Sequence, residues 1–151
     1  MKMSEYIQIL ERELHILIKM LEIVKEKHEA TIKLQGKKIE EIVAKEERQI
    51  LALNNIEYER INFQNMKLAA SKIDLKDKKV LSFIKAIKNE FTPDELKSAI
   101  VLQDKIKKMI KEIQKINENN LYITNYSINF TKQLIDTILG GKNKSILDRK
   151  V

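Results

Sequence analysis

Cysteine and tryptophan are absent from this chain of 151 residues, and it has only 3 glycines and 1 proline. Without cysteine there is neither a disulfide framework nor a thiolate metal site. So few turn-forming residues exclude a β-rich domain, whose hairpins need many more. Aromatics are 5% of the chain, so any core is aliphatic. Charges interrupt every apolar stretch well before the ~18 residues of a membrane span. The start, Met1-Lys2-Met3-Ser4-Glu5-Tyr6, carries an early acid and leads into Glu11 and Glu13, unlike a signal peptide. These absences predict a cytoplasmic protein with no membrane insertion.

The motifs of common enzymes are missing too. There is no Gly-rich phosphate loop, no His-Glu-x-x-His and no nucleophile elbow. Carboxylates at helical spacing bring di-metal sites to mind, but those need Glu-x-x-His pairs, and none occurs. No catalytic residue, metal site or cofactor is expected.

What the chain has is charge and aliphatic residues in regular alternation. Charged residues are 34% and hydrophobic ones 43%, a composition of long helices. The net charge of +7 is unevenly placed. Residues 1–35 and 36–70 are each balanced, residues 71–92 carry +3, residues 93–139 carry +1 and residues 140–151 carry +3. The excess lies in a connector and a tail, not on a helix face that tracks phosphates, so nucleic acid is not the expected partner.

Apolar residues at Ile7, Leu10, Leu14, Leu17, Leu21 and Val24 recur at three and four, marking one helical face. Ser4 suits its N-cap, and the face continues into His28, Thr31 and Gln35. A second run follows in Ile39, Ile42, Glu46, Ile50, Leu53, Ile56 and Arg60. Two arrangements fit the Gly36 between them. Either it lies inside one very long helix at a cost of about 1 kcal/mol against Ala, or it is the left-handed cap that ends the first helix. Glu57 and Arg60, at i and i+3, read as an ion pair.

A weaker stretch from 62 to 79 precedes a short helix with Val80, Ile84, Ile87 and Phe91. Thr92-Pro93-Asp94-Glu95 then forms a capping box, with Thr92 as N-cap, Pro93 at N1 and Glu95 reaching back from N3. No Gly or Pro follows until Gly140-Gly141. The pattern predicts one helix from Pro93 to Leu139, about 70 Å long at 1.5 Å per residue. Its first half carries Leu102, Ile106, Met109, Ile110 and Ile113. Its second half has a polar line of Asn117, Asn120, Thr124, Ser127 and Thr131 between two apolar edges. One edge is Leu121, Ile128 and Ile135; the other is Ile116, Ile123, Phe130 and Leu134, with Tyr126 beside it.

Of the two histidines, His15 falls opposite the apolar face and His28 on it. An antiparallel pairing of the first and last helices would bring His28 near Asn117 or Asn120, a buried polar layer of the kind that fixes register. The expected architecture is all-α: an elongated antiparallel bundle or coiled coil of long helices, with a short connector helix. The helical domain spans 1–139, and a flexible basic tail spans 140–151.

The order and spacing of these positions resemble the FlgN-type flagellar export chaperones. The resemblance is carried by Leu10, Glu13, Leu14, Leu17, Leu21, Glu26 and Ala30, then by Ile39, Ile42, Lys45-Glu46, Ile50, Leu53 and Arg60. It closes with Ile116-Asn117, Asn120-Leu121, Ser127-Ile128 and Leu134, and covers most of residues 5–139. Family members usually carry a helix break where Gly36 stands, often with Asp after the Gly; Lys37 replaces it here. The resemblance implies a cytoplasmic chaperone of type III export, without cofactor. It would bind hook–filament junction proteins of FlgK and FlgL type, prevent their premature assembly and deliver them to the flagellar export gate. A monomer or weak homodimer is expected. Helix-in-groove recognition of an amphipathic terminal segment makes Ile116, Ile123, Tyr126, Phe130 and Leu134 the candidate client surface, unless that edge packs on residues 39–60. The rival is a structural or adaptor coiled coil that self-associates without a client.

Overall fold

The computed structural model describes residues 2–119, 132–136, 138 and 139. Four helices follow in order: α1 (Met3–Ile32), α2 (Gly36–Ala70), α3 (Val80–Ala86) and α4 (Pro93–Asn119), with a 3₁₀ turn at Lys88–Glu90 before α4. Residues 132–136 are also helical. No strand occurs among the described residues, so the fold is all-α. Helices of 30, 35 and 27 residues are about 45, 52 and 40 Å long, which makes the bundle elongated.

α1 and α2 form an antiparallel hairpin. Residues near the start of α1 meet residues near the end of α2, as in Arg12–Glu59 at 2.8 Å. Residues near the end of α1 meet residues near the start of α2, as in Lys27–Glu46 at 2.7 Å. α1 also packs along α4. The Phe83 ring of α3 meets Tyr6 of α1 edge-on at 4.7 Å, so α3 and the six residues after it stand at the N-terminal end of α1. Beginning there, α4 can lie along α1 only by running parallel to it.

The break between α1 and α2 is real, but its residue is not Gly36. Leu34 takes the left-handed conformation at φ 53°. Gln35 N–H donates to Ala30 O at 3.0 Å and Leu34 N–H to Thr31 O at 3.1 Å, the two bonds of a Schellman ending. Gly36 is the first residue of α2. α2 ends the same way: Lys72 has φ 55°, with bonds from Ile73 to Leu68 and from Lys72 to Ala69. Non-glycine residues hold both positions, which glycine-centred reading of the sequence passes over. At the N-terminus Ser4 is not the cap: the helix starts at Met3, and Lys2 precedes it without a side-chain bond. The capping box at α4 forms as expected. Thr92 N–H donates to Glu95 Oε1 at 2.9 Å, and Glu95 N–H to Thr92 Oγ1 at 3.2 Å.

The expectation of one helix from Pro93 to Leu139 is corrected. Ile138 and Leu139 line the same cleft as Leu81, Ile100 and Gln103. In a single straight helix Leu139 would stand about 54 Å from Gln103. The chain has therefore come back beside the start of α4 by residue 138. Apolar spacing alone cannot register such a reversal, because no Gly or Pro is required for it. The proposed tail 140–151 lies outside the described residues.

Candidate functional site

The buried face of α1 follows a strict alternation of three and four: Met3, Tyr6, Leu10, Glu13, Leu17, Met20, Val24, Lys27. Two of the eight are charged. Counting apolar residues alone had turned the face toward Ile7, Leu14 and His28. The facing seam of α2 is more polar still, with Glu46, Glu57, Arg60 and Gln64 all buried. α4 contributes Ala99, Gln103, Ile106, Ile110, Ile113 and Asn117 at the same spacing.

These polar positions form two layers. In the upper layer the Lys27 ammonium donates to Glu46 Oε2 at 2.7 Å, and both side chains are almost fully buried. In the lower layer Gln64 Oε1 accepts from Tyr6 Oη at 2.9 Å and from Arg60 Nη1 at 2.6 Å. Arg60 Nη1 and Gln64 Nε2 both reach Lys78 O at 3.3 Å, which ties the connector to α2. Burial pushes the Tyr6 phenol well above its ordinary range, against the Arg60 charge. Burial likewise raises the Glu13 carboxyl, and Arg60 pulls it back. The exposed Glu90 carboxyl is lowered, first by its bond from Lys67.

The residues expected to form a buried polar layer fall only partly among the described ones. Asn117 is buried. His28 is half-buried, and its neighbour Lys27 holds the buried position. Asn120 lies outside the described residues. Of the candidate client surface, Ile116 is half-buried against the core. Leu134 is 1% exposed and belongs to the core, as does Ile138. Ile123, Tyr126 and Phe130 lie outside the described residues.

The described surface nonetheless offers an apolar cleft, between α3, the start of α4 and residues 132–139. It measures about 360 Å³, with Leu81, Ile100, Ile138 and Leu139 forming apolar walls. Lys79, Gln103, Asp104 and Lys107 stand at its rim. Leu81 and Ile100 are 42% and 46% exposed, and Val101 beside them is 43% exposed. An apolar floor with a mixed-charge rim is suited to the apolar stripe of a helix, whose polar face stays in water. A second cleft, on the hairpin, has a largely charged lining that includes Lys19, Glu22, Lys45 and Arg48. Among the described residues no group of three or more His, Cys, Asp or Glu could hold a metal, and no helix is long and apolar enough to cross a membrane.

An extended helical bundle with an apolar cleft on its surface defines the class: a helical binding protein. Residues 1–147 match the family model described as FlgN protein. The chain belongs to the FlgN family, a family of flagellar export chaperones. No curated protein and no solved structure matches it.

Proposed function

We propose that this chain is a cytoplasmic chaperone of flagellar type III export. It binds amphipathic terminal segments of hook–filament junction proteins of FlgK and FlgL type, keeps them from assembling early and delivers them to the export gate. It does so without catalysis or cofactor. The observation that carries this reading is the seat of residues 132–139. Leu134 and Ile138, four apart on one helical face, are 1% and 0% exposed, so the face beside α4 already accepts one amphipathic helical segment. The adjoining cleft at Leu81 and Ile100 extends that face into solvent.

The client helix docks along this face, with Ile116 of α4 and Leu134 among the chaperone's contacts; Ile123, Tyr126 and Phe130, which lie outside the described residues, complete the proposed client surface. Leu134, being core, meets the client only when its own segment shifts. Co-purification with the terminal segments of FlgK- and FlgL-type proteins tests the reading. Ile100→Asp abolishes capture while the melting temperature barely moves, since Ile100 is half exposed and surface substitutions cost within ~0.5 kcal/mol. Ile123→Ala and Phe130→Ala probe the rest of the proposed client surface in the same way. Failure of every candidate segment to co-purify would reject the proposal. The competing reading, a structural or adaptor coiled coil, predicts self-association by native mass and no client complex of fixed ratio.

A further inference from the structure

The two surface clefts use their charges differently. On the α1–α2 hairpin, Lys19, Lys45 and Arg48 stand among Glu22 and Glu26, and Lys45 already reaches Glu26 at 3.8 Å. The rim of the cleft beside α4 has Lys79, Asp104 and Lys107. Asp104 is held one turn along its own helix by Lys108 at 2.9 Å. Asp77 accepts the backbone N–H of Lys79 at 3.0 Å. Asp136, three residues before Leu139, has a partner of its own. Lys79 and Lys107 form no ion pair among the described residues. Two ammonium groups therefore flank an apolar floor, and no carboxylate of the chain is paired to either.

Helical spacing sets their placement. Ile100, Gln103, Asp104 and Lys107 stand at i, i+3, i+4 and i+7, in one line along α4. Ile100 is half exposed and Gln103 is buried beneath it. Lys107 stands two turns from Ile100, roughly 10 Å along the axis. Lys111 continues the line one turn further and is exposed. Lysines at i and i+4 repel each other and cost the isolated helix some stability; a carboxylate brought beside them offsets that cost. Across the cleft, Lys79 precedes Leu81 by two residues at the start of α3. We infer that the segment seated here is acidic on one flank. It is an amphipathic helix that sets an apolar residue between Leu81 and Ile100 and, two turns further on the same face, a carboxylate against the Lys79 and Lys107 ammonium groups.

This inference rests on the cleft being the client site, and it adds a rule for choosing among clients. The apolar floor alone accepts any amphipathic helix, because burial of apolar surface has no direction. The rim discriminates. A lysine or arginine at the flanking position of a wrong segment meets two like charges, and such a juxtaposition rejects partners more sharply than lost contacts do. Neither Lys79 nor Lys107 is buried, so the attraction is screened by salt. It acts on the choice of partner and on the rate of encounter, while the floor supplies most of the affinity.

Two synthetic amphipathic helical peptides with the same apolar stripe test this on the full chain. One carries glutamate and the other lysine two turns from a central leucine. By fluorescence anisotropy at low salt the glutamate peptide is expected to bind at least tenfold more tightly. Lys79→Glu/Lys107→Glu is expected to reverse that order with unchanged helical circular dichroism. At about 1 M salt, where the screening length is ~3 Å, the two peptides are expected to bind alike. Equal affinities at low salt, both lost in Ile100→Gln, would overturn the inference and leave the client cleft standing. Binding of neither peptide would overturn it too, as would a glutamate preference that survives Ile100→Gln, because the charge would then act away from the cleft. Co-purification of FlgK- and FlgL-type terminal segments reads the client separately: its failure, with the glutamate peptide still preferred, rejects those clients and not the chemistry of the cleft.

Discussion

The most informative perturbation is Lys27→Met. The Lys27 ammonium and the Glu46 carboxylate stand 2.7 Å apart with side chains 1% and 3% exposed. Methionine fills much of the lysine stem's volume but leaves the Glu46 charge in a site shaped for a pair. Removing one partner of a buried ion pair typically costs about 3–5 kcal/mol, against a total stability of roughly 5–15 kcal/mol for a domain. At about 2–4 °C per kcal/mol for a chain of this size, the melting temperature falls by roughly 6–20 °C. The double variant Lys27→Met/Glu46→Leu removes both charges and restores most of the loss, because apolar replacement of a whole buried pair is often neutral or better. Urea unfolding followed by circular dichroism, on both single variants and the double, closes the cycle. Strictly additive losses, or a Lys27→Met cost below about 1 kcal/mol, would show that the two groups do not act as a buried pair.

Three further outcomes follow from the geometry. Leu34→Gly relieves a left-handed residue whose side chain is 88% exposed; with a steric gain of about 1–2 kcal/mol set against glycine's entropy cost of roughly 0.5–1 kcal/mol, a net stabilisation near 0.5–1 kcal/mol is expected in thermal melts. Thr92→Ala removes half of the capping box at α4 and costs about 1 kcal/mol in the same assay; no change would mean that the cap is redundant with Pro93. Glu13 has its carboxyl raised by burial, so the folded chain holds that proton more tightly than the unfolded one. Its contribution is fully present below the ordinary glutamate range and is lost as pH rises through the folded value. Glu13→Gln therefore gains stability relative to the parent chain as pH rises above about 4.5; parallel stability–pH curves would contradict this.

Much of the architecture was legible because helices announce themselves locally. The apolar spacing of Leu10, Leu17 and Val24, and of Ile42, Ile50 and Leu53, located the two helical runs, and all six residues are buried; that they fold back on each other was not legible. The capping box at Thr92 needs only four consecutive residues. Apolar spacing did not predict that Glu13 and Lys27 fill core positions, although the three–four alternation runs through them unbroken. A reading that follows the alternation and ignores polarity finds them. Leu34 and Lys72 as helix stops were not legible, since neither residue type favours left-handed backbone.

The candidate site divides the same way. The apolar edge at Ile116 and Leu134 was visible as spacing, but whether an edge is surface or core depends on what returns to cover it.

The sequence by itself determined the all-α class, the two apolar runs on either side of Gly36, the short connector helix and the start of α4, because propensity, caps and periodicity act within a few residues. Only the tertiary structure decided that Lys27 and Glu46 share one buried layer and that Ile138 and Leu139 lie back beside Ile100 and Gln103. It alone left Leu81 and Ile100 exposed beside them. A charge becomes tolerable in a core only when another helix presents its partner, and a stripe becomes a surface only when no other segment packs on it. Both conditions belong to the packing of distant segments.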